Sequence, residues 1–131
     1  RSCGCLRSEL SLAEQYTTNK YISIREYNNI ISRAKQRNLY FALTIEDIEA
    51  IYENQNKKWR FTGCELVFDL WTENRVSRGD ASIDRIDSSK GYTKDNIQIV
   101  HKRLNVMKNN MSDTEFVSWC EKVVSHKNIE N

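Results

Sequence analysis

The sequence predicts an α+β fold in which a short antiparallel hairpin runs directly into a helix, with helices before and after it. Three observations carry this. Apolar residues recur at helical spacing in three separate stretches, around 24–34, 45–52 and 116–123. Two short β-rich runs, Ser82-Ile-Asp-Arg-Ile86 and Ile97-Gln-Ile-Val100, flank a polar loop containing Gly91. Two capping boxes mark helix starts, Thr44 with Asp47 and Ser112 with Glu115.

In chain order, residues 1–20 read as a tether, the tail of an upstream module and a linker, with a short helical possibility over 7–16 and a polar link Thr17-Thr-Asn-Lys20. Residues 21–127 read as the domain proper. Ile24, Tyr27, Ile30, Ile31 and Ala34 set an amphipathic helix over 24–38. Phe41-Ala-Leu43 is a brief extended piece, and Thr44 opens a second helix whose buried stripe is Ile45, Ile48, Ile51 and Tyr52. Trp59–Gly63 and Glu65–Phe68 read as two short strands around a turn, and 72–81 as a polar loop. After the hairpin, a helix over 101–109 buries Val100, Leu104 and Met107, and the last helix buries Phe116, Trp119, Cys120 and Val123.

A chain of 131 residues, 39% apolar and 29% charged, is long enough to bury a core without staples. No run approaches the roughly 18 apolar residues of a membrane span, so the reading is a soluble, cytoplasmic protein with no membrane partner. It begins at Arg1 rather than Met, which reads as a piece or processed form of something longer. The net charge of +2 says little, but its distribution says more. Arg25, Arg33, Lys35 and Arg37 stand against the single acid Glu26, and a second basic segment spans 85–108, while Glu46, Asp47, Glu49 and Glu53 gather elsewhere. Two basic segments facing phosphate supply sequence-independent affinity for nucleic acid; the alternative is solvated helix faces. Cysteines at 3, 5, 64 and 120 show no disulfide framework, in keeping with a reducing compartment.

Chemistry concentrates at the hairpin and its helix. Antiparallel pairing brings residues near 84 alongside those near 99–101. On the following helix His101, Asn105 and Lys108 fall at i, i+4 and i+7, one polar row facing back toward the strand carboxylate Asp84. Oxygen donors from Asp84 and Asn105 suit Mg²⁺ or Mn²⁺ rather than zinc. His101, with an imidazole that titrates near neutrality, is the expected base for an attacking water. Against this stand plainer readings: Asp84 and Asp87 as partners of Arg85, Lys102 or Arg103, His101 as a helix cap, Asn96 as a turn residue, and Lys102, Arg103 and Lys108 as a solvated face.

The run from Asp84 to Lys108, with Asp84-Arg-Ile-Asp-Ser-Ser-Lys-Gly-Tyr-Thr, Asn96-Ile-Gln, His101, Asn105 and Met107-Lys108, resembles the HNH family of nucleases, in particular a phage-type, homing-like subgroup. Ala34–Asn38, Thr44–Asp47, Gln55 and Thr62-Gly63 resemble that subgroup's helical lead-in, so the likeness spans roughly 25–124. It implies a ββα-metal core, a metal-dependent endonuclease or nickase acting on double-stranded DNA, and one Mg²⁺ or Mn²⁺. Residue by residue it implies Asp84 and Asn105 as metal ligands and Asn96 as the residue that holds the loop and orients the base. Arg85 stands where the family has its general-base His. Arg does not release its proton at neutral pH, so His101 is expected to take that role, with Arg85 contacting phosphate or the transition state, or pairing with Asp87. Lys90, Lys102, Arg103 and Lys108 are the expected nucleic-acid contacts. A catalytically degenerate binding module is the alternative. Cys3-Gly-Cys5 resembles the closing half of a zinc module, and C-x-x-C pairs are missing from the core, which implies no zinc there.

Overall fold

A computed structural model describes residues 14, 17–72 and 74–130. The order is α1 (Ile24–Gln36), α2 (Ile45–Asn54), β1 (Leu70–Thr72), β2 (Arg75–Ser77), β3 (Ala81–Arg85), β4 (Ile97–His101), α3 (Lys102–Lys108) and α4 (Asp113–Glu130). The class is α+β, and the strand–loop–strand–helix order expected for 82–109 is present as β3, β4 and α3. Cys3, Cys5 and, apart from residue 14, the helical possibility over 7–16 lie outside the described residues.

Local signals explain most boundaries. Ser23 caps α1 by accepting from the Glu26 N–H, and Thr44 and Asp47 form the reciprocal capping box of α2. Ile30 and Ala34 of α1 and Ile48 and Tyr52 of α2 are buried and pack with Trp59, Leu66, Phe68, Ile83, Ile97, Ile99 and Val100 into one core. Glu49 of α2 is buried as well: its carboxylate accepts the N–H groups of Lys20, Tyr21 and Ile22 and the Asn19 amide. Residues 19–22 are therefore tied to α2, and the expected linker up to residue 20 ends in a stretch bonded to the domain body.

Three elements differ from the sequence reading. Trp59–Gly63 and Glu65–Phe68 form no strand pair: residues 60–62 turn back with the Thr62 and Gly63 N–H groups on the Trp59 carbonyl, and only a single bridge joins Lys58 to Glu65. The stretch 72–81, expected to be loop, contains most of a second hairpin, β1 with β2, turning through Asn74 at φ 62°. Finally, half of the stripe expected to bury α4 is outside: Phe116 is buried and Cys120 packs partly against the core, but Trp119 is 52% and Val123 67% exposed. Met107 is likewise exposed on α3. α4 spans 18 residues but meets the core through Phe116 and Cys120, so periodicity finds the helix and overstates how much of it is covered.

Hairpin register sets the position of everything that follows. Ala81 pairs with His101, Ser82 with Val100, Ile83 with Ile99, Asp84 with Gln98 and Arg85 with Ile97. Gln55, at the end of α2, bonds both the N–H and the carbonyl of Ile99 through its side-chain amide and so satisfies the free edge of β4.

Candidate active site

Asp84 sits at the penultimate position of β3, and its Oδ2 accepts from Gln98 Nε2 across the strand pair at 3.1 Å. The two side chains share a face, as directly paired residues must. Beyond them opens a cleft of about 670 Å³, within the size range of ligand sites. Asp84 and Arg85 from β3, Asp87 and Ser88 from the loop, Asn105 and Lys108 from α3, and Asp113 from α4 line it, together with Arg37 from the end of α1. Burial pushes the Asp84 carboxyl above its ordinary range, and the charge of Asp113 adds to that. The bond from Gln98 and the charge of Lys108 oppose it without cancelling it. A carboxylate left in this state is under-compensated, and a further cation in the cleft would stabilise its ionised form.

Asn105 faces the same cleft one turn before Lys108, and among the described residues its side-chain amide makes no hydrogen bond. Asp84 and Asn105 thus present a carboxylate and an amide oxygen to one space. No group of three or more His, Cys, Asp and Glu able to hold a metal ion occurs among the described residues. Two oxygen donors fit Mg²⁺ or Mn²⁺, which keep several waters and take phosphate oxygens as the remaining ligands.

The loop between β3 and β4 is held from inside. Asn96 is 5% exposed; its Oδ1 accepts the Asp87 N–H at 2.9 Å, and its Nδ2 donates to the carbonyls of Asp87 (3.1 Å) and Gly91 (2.8 Å). Gly91 passes so close to Tyr40 that an added Cβ would come within 2.4 Å of its carbonyl oxygen. That contact lets the Tyr92 N–H bond the Tyr40 carbonyl at 2.8 Å and fastens the loop to the chain leaving α1. Arg85 turns its guanidinium onto the loop: Nη1 donates to the Ser88 and Lys90 carbonyls, and the group lies 5.7 Å from the Tyr92 ring centre. Arg85 forms no ion pair with Asp87; Lys90 is the cation nearest that acid, at 3.9 Å.

His101 is where the sequence reading and the structure part. It is the last residue of β4 and the N-cap of α3, not a member of the helix, so the expected row at i, i+4 and i+7 begins one residue too early. Its Nδ1 accepts the Arg103 and Leu104 N–H groups at 3.2 and 3.5 Å, which assigns the proton to Nε2. Nε2 faces Asp80 at 3.8 Å, and the ring lines a different cleft with Val67, Gly79, Arg78 and Lys102. Residues 81, 83 and 85 share the face of 97, 99 and 101, whereas Asp84 lies on the other, and three residue steps along the strand add about 10 Å. His101 does not approach Asp84.

The expected phosphate contacts also divide. Lys108 is 7% exposed and its Nζ pairs with Asp113 at 3.3 Å, so it belongs to the cleft floor rather than to a solvated face. Lys102 pairs with Asp69 at 3.5 Å on the His101 side, where Arg103 also stands, exposed. Lys90 is exposed at the loop tip. Two cleft residues, Arg37 and Asp113, were absent from the expected site; each comes from a separate element, and only a tertiary structure brings them to Asp84. In comparisons with protein-family models, curated proteins and solved structures, nothing matches the chain.

Proposed function

We propose that this protein is a metal-dependent DNA endonuclease or nickase of the HNH type. The observation that carries the reading is the meeting of Asp84 and Asn105 in one cleft beside a loop pinned by Asn96. Asp84 and Asn105 would hold one Mg²⁺ or Mn²⁺. When bound, such an ion neutralises charge at the cleaved phosphate and lowers the pKa of a bound water, which reduces the need for a side-chain base. Lys108, fixed by Asp113, adds a positive charge to the cleft floor. Asn96 keeps the loop, and with it Arg85, in place. His101 takes no part in the chemistry and caps α3.

The second reading, a nucleic-acid-binding module without catalysis, draws on a specific observation: among the described residues lining the cleft there is no imidazole. Relaxation of supercoiled plasmid with Mg²⁺ or Mn²⁺ decides between them. Nicking by the native chain that is lost in Asp84→Ala and in Asn105→Ala is the expected result. Salt-sensitive duplex binding with no nicking at any metal concentration gives the second reading instead.

A further inference from the structure

We propose that Arg37, at the end of α1, is the phosphate-holding residue of the Asp84 cleft, seating a backbone phosphodiester of duplex DNA next to the one that is cut. The inference rests on the nuclease reading for its substrate but has its own evidence. Three cations line the cleft, and two are engaged: Arg85 donates to the Ser88 and Lys90 carbonyls, and Lys108 pairs with Asp113. Arg37 forms no side-chain hydrogen bond or ion pair among the described residues. Its planar fork of N–H donors is therefore uncommitted, and it suits the paired oxygens of a phosphodiester.

The backbone around Arg37 is firmly placed. Arg37 closes α1 by donating its N–H to the Arg33 carbonyl, and Asn38 follows in the left-handed conformation at φ 56°. Leu39 then bonds back to Ala34, and Tyr40 receives the Tyr92 N–H. The end of α1 is thus anchored to the same loop that Asn96 pins beneath the cleft. The fixed backbone sets where the Arg37 side chain starts, while its exposed and rotatable stem is ordered only when the guanidinium meets phosphate. The acids of the cleft, Asp84, Asp87 and Asp113, would repel a bare polyanion, and an unpaired cation at the rim offsets that repulsion.

The test uses the full chain and a short DNA duplex, with affinity read by fluorescence anisotropy from low to moderate salt. Native protein, Arg37→Ala, Arg37→Gln and Arg37→Lys are compared, with thermal unfolding as the check on folding. Arg37 is exposed, so all four are expected to fold alike. Removing the charge should weaken binding several-fold and lower the slope of log affinity against log salt by about one. Arg37→Lys should restore the slope but only part of the affinity. An unchanged slope and affinity in Arg37→Ala and Arg37→Gln overturns the proposal, as does a native chain that does not bind duplex. A slope that depends on Arg37 in a native chain that nicks nothing keeps the phosphate seat and removes the nuclease reading.

Discussion

Asp84 and His101 stand on opposite faces of one hairpin, Asp84 paired with Gln98 and His101 with Ala81. This one relation of register separates the cleft carboxylate from the imidazole that the sequence offers as its base. It also explains why His101 is where it is: a side-chain acceptor is needed at the strand-to-helix junction, and Nδ1 supplies it to the Arg103 and Leu104 N–H groups. His101→Ala should therefore cost about 1 kcal/mol of stability, the usual worth of an N-cap, while leaving metal-dependent nicking within a few-fold of native. His101→Asn, which restores a capping oxygen, should recover the stability. Loss of nicking in both variants, with folding intact, would return His101 to the mechanism.

Asp84 gives a pH-dependent signature that does not need activity. Its carboxyl is pushed above its ordinary range, chiefly by burial. A native pKa above the unfolded one means that the folded state binds the proton more tightly, so this group's contribution to stability is present below the unfolded value, about 3.9, and is lost as pH rises through the native one. Asp84→Asn removes the ionisation and should raise the melting temperature at pH 7. The gain should shrink to nothing toward pH 4. Added Mg²⁺ or Mn²⁺ should raise the melting temperature of the native chain and not of Asp84→Asn. A native chain indifferent to both metals would remove the two-ligand site.

Asn96 is the residue on which the loop depends. With Asn96→Ala, the Asp87 N–H and the Gly91 carbonyl lose the part-buried partner that Asn96 gives them, while the Asp87 carbonyl keeps the Lys90 N–H. Leaving such groups unsatisfied should cost about 3 kcal/mol in denaturant unfolding. Asn96→Asp keeps the acceptor for Asp87 but loses both donated bonds, and should fall between. Equal stability of Asn96→Ala and the native chain would mean that the loop is held by Gly91 and Tyr92 alone.

What was legible in the sequence follows from how local each signal is. The helix starts at Thr44 and Ser112, the strand pair, the Gly91 loop and the Asn96 position are set by neighbours within a few residues, and those signals sit in the residue order. Asp84, Asn105 and Lys108 come together because hairpin register and helical spacing are both periodic, so their convergence is readable as well. His101 misled because strand and helix meet at that residue: helical spacing counted from 101 puts it with Asn105, whereas strand alternation puts it on the opposite face from Asp84. Nothing in the residue order marks which period governs a junction. Arg37 caps the end of α1, far along the chain from the hairpin, and Asp113 opens α4 just after α3; the place of both in the cleft depends on how those helices pack, for which one sequence carries no local signal.

Of the acids gathered at 46–53, Glu49 is buried and Asp47 and Glu53 are committed to partners within the chain. Asp47 closes the capping box of α2, Glu53 takes the Lys20 ammonium and the Tyr21 hydroxyl, and Glu49 takes three consecutive backbone N–H groups. Burial alone would raise the Glu49 carboxyl, but the bonds from Tyr21, Asn19, Ile22 and Lys20 together outweigh it and hold the group below its usual range. A depressed native value means stability that is present above the unfolded pKa, about 4.3, and is lost as pH falls through the native one. Glu49→Gln keeps one acceptor oxygen and loses the charge, so it should be about 2 kcal/mol less stable at pH 7. The gap should hold down to about the unfolded value and narrow below it, as the unfolded chain takes up the proton first and the folded chain only at its depressed value. A gap that stays constant to pH 3 would show that shape rather than the Glu49 charge seats residues 19–22 on α2.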